Sequence, residues 1–194
     1  MKVQSSIIEN KYLRVKSINI GACLYEVYDK QKKINLILNL GSTENYRNKN
    51  FYVGATCGRY AGRISNSRFK IKKKIYRLDG NEGRNTLHGG KIGFDRLEWK
   101  IHHHSKTKII YQLLSKNLDQ GFPGDLNSQC IFEIKNKSLF ILDNFLLISS
   151  PGWELFFAAS YISETNFGSI FEVTDIVPCP PREIKSKDVS SSPE

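Results

Sequence analysis

The 194-residue chain is 40% hydrophobic, enough for one ordinary domain or for part of a larger β architecture. Its 29 Lys and Arg against 19 Asp and Glu give a formal charge of +10 and a pI of about 9.4; the charge is spread along the chain with no Arg-rich block, so a solvated basic surface is expected and nucleic acid is not an expected partner. Cys23, Cys57, Cys130 and Cys179 lie far apart with no CxxC pair, which speaks against a zinc module or a disulfide framework and fits a reducing compartment.

The first eleven residues hold one early lysine and no apolar stretch of the length a secretory signal needs. A cytoplasmic protein without a membrane partner is therefore expected, because the most apolar region, 140–162, is also interrupted by Asp143, Pro151 and Glu154. Short or alternating apolar runs at 12–15, 22–27 and 34–38, separated by Gly21 and by a polar cluster at 29–33, predict three strands with tight turns. No window shows a 3.6-residue apolar stripe, so helix should be scarce. A loop is predicted over 40–50, where Gly, Ser and Asn cluster.

Phe69, Ile71, Ile75 and Leu78 flank Lys72-Lys73-Lys74, a hairpin whose lysine-rich connection departs from the Asn-Gly or Asp-Gly that such turns favour. Further strands are predicted at 108–114, 130–134 and 138–142, the last two joined across Lys135-Asn136-Lys137, which makes an antiparallel meander. The run His102-His103-His104 reads as a solvated strand end, since consecutive strand positions point to opposite faces and at most two of the three could share a metal ion. From Asp143 onward the alternation gives way to continuous apolar runs. The Pro-, Lys- and Ser-rich stretch 178–194 has too little apolar surface to offset its ordering entropy and is expected to form a disordered tail, leaving 1–177 as the folded β domain.

Three blocks carry the functional signal: Gly58-Arg59-Tyr60-Ala61-Gly62-Arg63-Ile64, then Asn85-Thr86-Leu87-His88-Gly89-Gly90, then Gly93-Phe94-Asp95-Arg96-Leu97-Glu98-Trp99. Together they resemble the aldose 1-epimerases (galactose mutarotases), in which a sugar-binding arginine precedes an active-site histidine at the spacing seen here between Arg63 and His88. The resemblance covers about 18–142 and is strongest over 52–99. It implies an all-β protein, an antiparallel β-sandwich that is part of the galactose-mutarotase-like supersandwich, with no cofactor and no metal. It also implies a small-molecule hexose such as galactose or glucose as partner, Arg63 and His88 as substrate-binding residues, and His88 as a catalytic residue. The sequence carries no signal for an oligomeric state.

Anomer interconversion needs two opposed proton-transfer groups, one to take the C1 hydroxyl proton and one to protonate the ring oxygen. The family supplies these from an acid histidine after a Gly-Tyr-Pro-Gly turn and a later base glutamate. That turn is matched by Gly121-Phe122-Pro123-Gly124, but the four histidines are His88, His102, His103 and His104, so none follows it. Asp119, Gln120, Glu154 and Asp175 are candidate replacements that their sequence neighbourhoods do not separate. Gly62 stands where many members carry an asparagine beside the arginine. The expectation is thus a mutarotase-like half-site with impaired catalysis, the alternative being a non-catalytic carbohydrate or sugar-phosphate binding module favoured by the positive charge.

Overall fold

A computed structural model describes residues 2–47, 51–149 and 162–165. It is built from antiparallel strands with three short 3-10 turns, and among the described residues no helix is long and apolar enough to cross a membrane. Strands β1 (Ser5–Glu9), β2 (Leu13–Ile18), β3 (Cys23–Asp29) and β4 (Ile34–Asn35) form one sheet in sequence order. Two small ladders follow: β5 (Arg63–Ile64) with β8 (Thr86–Leu87), and β6 (Arg68–Ile71) with β7 (Lys74–Arg77). A second large sheet, in the order β13-β12-β11-β10-β9, comprises β9 (Lys100–His104), β10 (Lys108–Ser115), β11 (Asp125–Lys135), β12 (Ser138–Ser149) and β13 (Ile162–Thr165).

Period-2 patterning explains how the two large sheets pack. Along β11 the residues Leu126, Ser128, Cys130, Phe132 and Ile134 are buried while the positions between them are not, so one face is committed to the core. Leu126, Cys130, Phe132 and Ile134 join Ile109, Tyr111 and Leu139 from the same sheet and Ile8, Leu13, Val15, Leu24 and Val27 from the other in a single apolar cluster. A buried polar bond, Ser17 Oγ to Tyr111 Oη at 2.9 Å, crosses between the sheets. This is the antiparallel sandwich that the sequence implied.

The chain departs from the predicted elements in instructive ways. β1 was not anticipated; its pattern of Ser6 and Ile8 inward, Ser5 and Ile7 outward, carries two serines and so a weak apolar signal. The third predicted strand shrinks to Ile34–Asn35 and leaves Leu38 exposed. The Asn35 side chain stands in for part of the ladder: its Oδ1 accepts from Val27 N at 3.1 Å across the strands and its Nδ2 donates to Ile37 O at 3.0 Å, while Leu36 N still donates to Val27 O at 2.8 Å. Within the predicted loop, Thr43–Tyr46 forms a 3-10 turn in which Ser42 Oγ caps Glu44 N at 3.2 Å and Tyr46 is fully buried. β11 begins five residues before the predicted start, and the backbone of β12 continues pairing to Ser149, well past the predicted end.

The lysine hairpin forms with Ile71 opposite Lys74, and Lys72 takes the positive φ of 52° that glycine or asparagine would supply more easily. All five residues of β9, the three histidines included, are exposed along a sheet edge. Glu154, Asp175, Cys179, the domain boundary at 177 and the expected tail at 178–194 lie outside the described residues.

Candidate functional site

The three sequence blocks interlock through glycines. Phe94 N donates to Gly58 O at 3.2 Å, and the Phe94 ring lies where a side chain on Gly58 would stand, 2.2 Å from an ideal Cβ. A Cβ on Gly89 (φ +92°) would fall 1.7 Å from Gly58 O, so backbone meets backbone at a distance only glycine permits. Phe94 and Trp99 pack edge to face at 5.6 Å, with Trp99 Nε1 donating to Phe94 O at 3.0 Å. The third block therefore plugs the core and holds the other two above it.

Of the two arginines in the first block, the one that sequence reasoning passed over is the structural one. Arg59 is 8% exposed and spends all its donors internally: Nε to Ser115 Oγ at 2.7 Å, Nη1 to Pro123 O at 3.1 Å and Gly124 O at 2.8 Å, Nη2 to Ser115 O at 2.7 Å and Lys116 O at 2.6 Å. This fastens the first block to the Gly121–Gly124 turn. Burial pulls its pKa down, while Asp119 and Asp125 act in the opposite direction. Asp119 accepts from Ser115 Oγ within this cluster, and Gln120 Oε1 accepts from Ile92 N at 3.0 Å; both candidate replacements hold loops.

Arg63 and His88 lie together. Arg63 pairs with Leu87 across β5 and β8, and the next pair outward grips the histidine: His88 N donates to Gly62 O at 3.0 Å, and Gly62 N donates to His88 Nδ1 at 3.2 Å. Because Nδ1 accepts, the neutral ring carries its proton on Nε2, where it can donate to a ligand oxygen. Burial lowers the His88 pKa, with Arg63 adding to the shift and Asp95 and Glu82 opposing it; the imidazole is neutral at neutral pH. Its ring meets Tyr52 edge-on at 4.5 Å. Gly62 has a φ of +137°, so the place that many members give to asparagine is here in a conformation that favours glycine.

The Arg63 side chain is 62% exposed and forks onto Glu82, through Nε to Oε2 and through Nη2 to Oε1, the latter at 2.7 Å. The hydrogen bond from Arg63 is the main reason the Glu82 pKa is lowered, and the same contact raises that of Arg63. Asn81 ties this loop to the histidine block: Oδ1 accepts from Leu87 N at 2.7 Å, and Nδ2 donates to Leu87 O and Gly90 O, both at 2.9 Å. Tyr52, Asn81, Glu82, Leu87, Lys91 and Arg96 line an open depression of about 720 Å³, together with Gly80 and Gly83. Arg63 and His88 do not themselves line it; each contacts a lining residue, Arg63 through Glu82 and His88 through Tyr52. Tyr52, Asn81 and Glu82 were not singled out in the sequence; the only cue was the turn-like Asp79-Gly80-Asn81-Glu82-Gly83 just before the histidine block. Among the described residues no group of three His, Cys, Asp or Glu side chains is placed to hold a metal ion.

Residues 4–144 match the family model described as aldose 1-epimerase. Among curated relatives, the aldose 1-epimerase of Escherichia coli strain K12 is 39% identical over 92 residues, 47% of this chain and 27% of that protein. The human galactose mutarotase is 31% identical over 142 residues, 72% of this chain and 41% of that protein. Among solved structures, galactose 1-epimerase from Lactobacillus acidophilus superposes with a TM-score of 0.66 at 26% identity, covering 75% of this chain and 49% of that one. An aldose epimerase homologue from C. elegans gives the same TM-score at 24% identity, covering 77% and 52%. The chain thus spans about half of those solved structures and less of the curated relatives. Sequence blocks, sandwich and matched family model agree: this chain belongs to the aldose 1-epimerase family.

Proposed function

We propose that this chain binds a free hexose such as galactose or glucose through Arg63 and His88 and, acting alone, interconverts its anomers weakly or not at all. The observation that carries the reading is the juxtaposition of the two residues across the β5–β8 ladder, beside a depression within the size range of small-molecule sites. Mutarotation removes the proton of the C1 hydroxyl and protonates the ring oxygen, breaking the ring C–O bond; rotation about C1–C2 and the reverse steps then close the other anomer. The neutral His88 ring can donate from Nε2 to the ring oxygen, and Arg63 can stabilise negative charge developing on oxygen. Each acid or base contributes on the order of 10²–10⁴-fold, so a chain in which neither the family's acid histidine nor its base glutamate is recognisable stays near the spontaneous rate.

Polarimetry with fresh α-D-galactose, together with a galactose titration, tests this. Saturable binding with a rate close to that of buffer is expected; the rate of a full enzyme, or no binding, would refute it. Lys91 and Arg96 on the wall of the depression support a second reading, a non-catalytic binder of sugar phosphates. Titration with a hexose phosphate separates the two, since binding of the phosphate alone, collapsing with salt, would favour the second.

A further inference from the structure

Arg63 stands behind the wall of the depression, forked onto the lining residue Glu82. A guanidinium has five N–H donors, and two are engaged by Glu82, which leaves 5 − 2 = 3 for a ligand. Glu82 itself lines the depression, and its backbone is fixed by Glu82 N donating to Asn85 O at 3.1 Å. A hydrogen-bond acceptor and a donor therefore stand side by side at the edge of the depression. We propose that Glu82 is a sugar-binding, specificity-determining residue: paired with Arg63, it selects neutral sugars carrying vicinal hydroxyls and discriminates against sugar acids and sugar phosphates.

A vicinal diol satisfies both members at once, one hydroxyl accepting from an Arg63 N–H and its neighbour donating to a Glu82 oxygen. A sugar acid or sugar phosphate keeps such hydroxyls, but its anionic group only accepts: it competes with Glu82 for the same fork and meets a like charge beside it. Glu82 is held ionised near neutrality by Arg63, which lowers its pKa. Lys91 and Arg96 line the same depression and draw anions, with Arg96 Nε lying 3.8 Å from the buried Asp95 carboxylate. The discrimination due to Glu82 is therefore read as a change in selectivity between proteins that share these two cations.

This inference rests on the hexose-binding reading, and the experiment separates their failures. D-galactose and D-galacturonate are titrated calorimetrically, at one fixed ionic strength, into the unmodified chain, Glu82→Gln and Lys91→Ala. Glu82→Gln should weaken galactose several-fold and strengthen galacturonate, raising the galacturonate-to-galactose affinity ratio by about tenfold; Lys91→Ala should lower that ratio. If the unmodified chain binds galactose and Glu82→Gln leaves the ratio within about twofold of its original value, the role of Glu82 is overturned and the hexose reading stands. If the unmodified chain binds neither sugar, both fall.

Discussion

Replacing Arg59 by alanine removes the five hydrogen bonds that fasten the first motif block to the 115–124 region. Bonds from a charged donor are worth about 1.5–3 kcal/mol each, but their sum exceeds the net effect because the buried guanidinium has itself lost its hydration. The net loss on breaking such a buried arrangement is about 3–5 kcal/mol, a large part of the roughly 5–15 kcal/mol that stabilises a typical domain. With a urea m-value of about 2 kcal/mol/M, the unfolding midpoint should fall by about 2 M. Arg59→Lys, with three donors in place of five, should recover part of the loss and no more. Equilibrium urea unfolding followed by tryptophan fluorescence is suitable, because Trp99 is buried against Phe94. A midpoint shift below about 0.3 M for Arg59→Ala would refute the assignment of Arg59 as the clamp of this loop.

Asp143 offers a pH test. Burial raises its pKa to about 6 against a hydrogen bond from Cys130 that lowers it, and its Oδ1 has no hydrogen-bonding partner among the described residues. The folded state thus favours the protonated acid: its contribution is fully present below the ordinary value of 3.8 and is lost as pH rises through about 6. Asp143→Asn should flatten the thermal-melting profile over that window and melt higher than the parent above it; parallel profiles would contradict the assignment. Gly89→Ala forces a Cβ to 1.7 Å from Gly58 O at a φ of +92°, and should destabilise by about 3 kcal/mol or more in chemical denaturation, whereas a midpoint unchanged from the parent would count against the interlock. Lys72→Asn places a residue tolerant of positive φ at the hairpin turn and should stabilise by about 0.5–1 kcal/mol; a loss of stability would show that Lys72 contributes more than its backbone strain costs.

The sandwich was legible where alternating burial is carried by apolar residues, as along β10 and the second half of β11, and was missed where serines and asparagine dilute the same alternation, as in β1 and the first half of β11. It was illegible also where side chains substitute for ladder bonds: Ile34 to Leu38 has the composition of a strand, yet it ends after two residues, with the Asn35 side chain standing in for part of the ladder. The spacing of Arg63 and His88 was visible, and so was the family. What spacing could not distinguish was the division of labour between Arg59 and Arg63, four residues apart in one motif. Solvation decides it, with one guanidinium ringed by backbone carbonyls and the other forked onto an exposed carboxylate. Glu82 was missed for the same reason, since a lone acidic residue in a turn reads as surface until its ion-pair partner Arg63 is placed.

The central claim is that Arg63 and His88 form one sugar-binding unit, and galactose titrations of the unmodified chain, Arg63→Ala, His88→Asn and the double variant test it most directly. Residues acting on one ligand couple, so each single substitution should weaken binding at least tenfold and the double variant should lose less than the sum of the two losses in free energy. Galactose affinity unaffected by either substitution, or two losses that add fully, would contradict it.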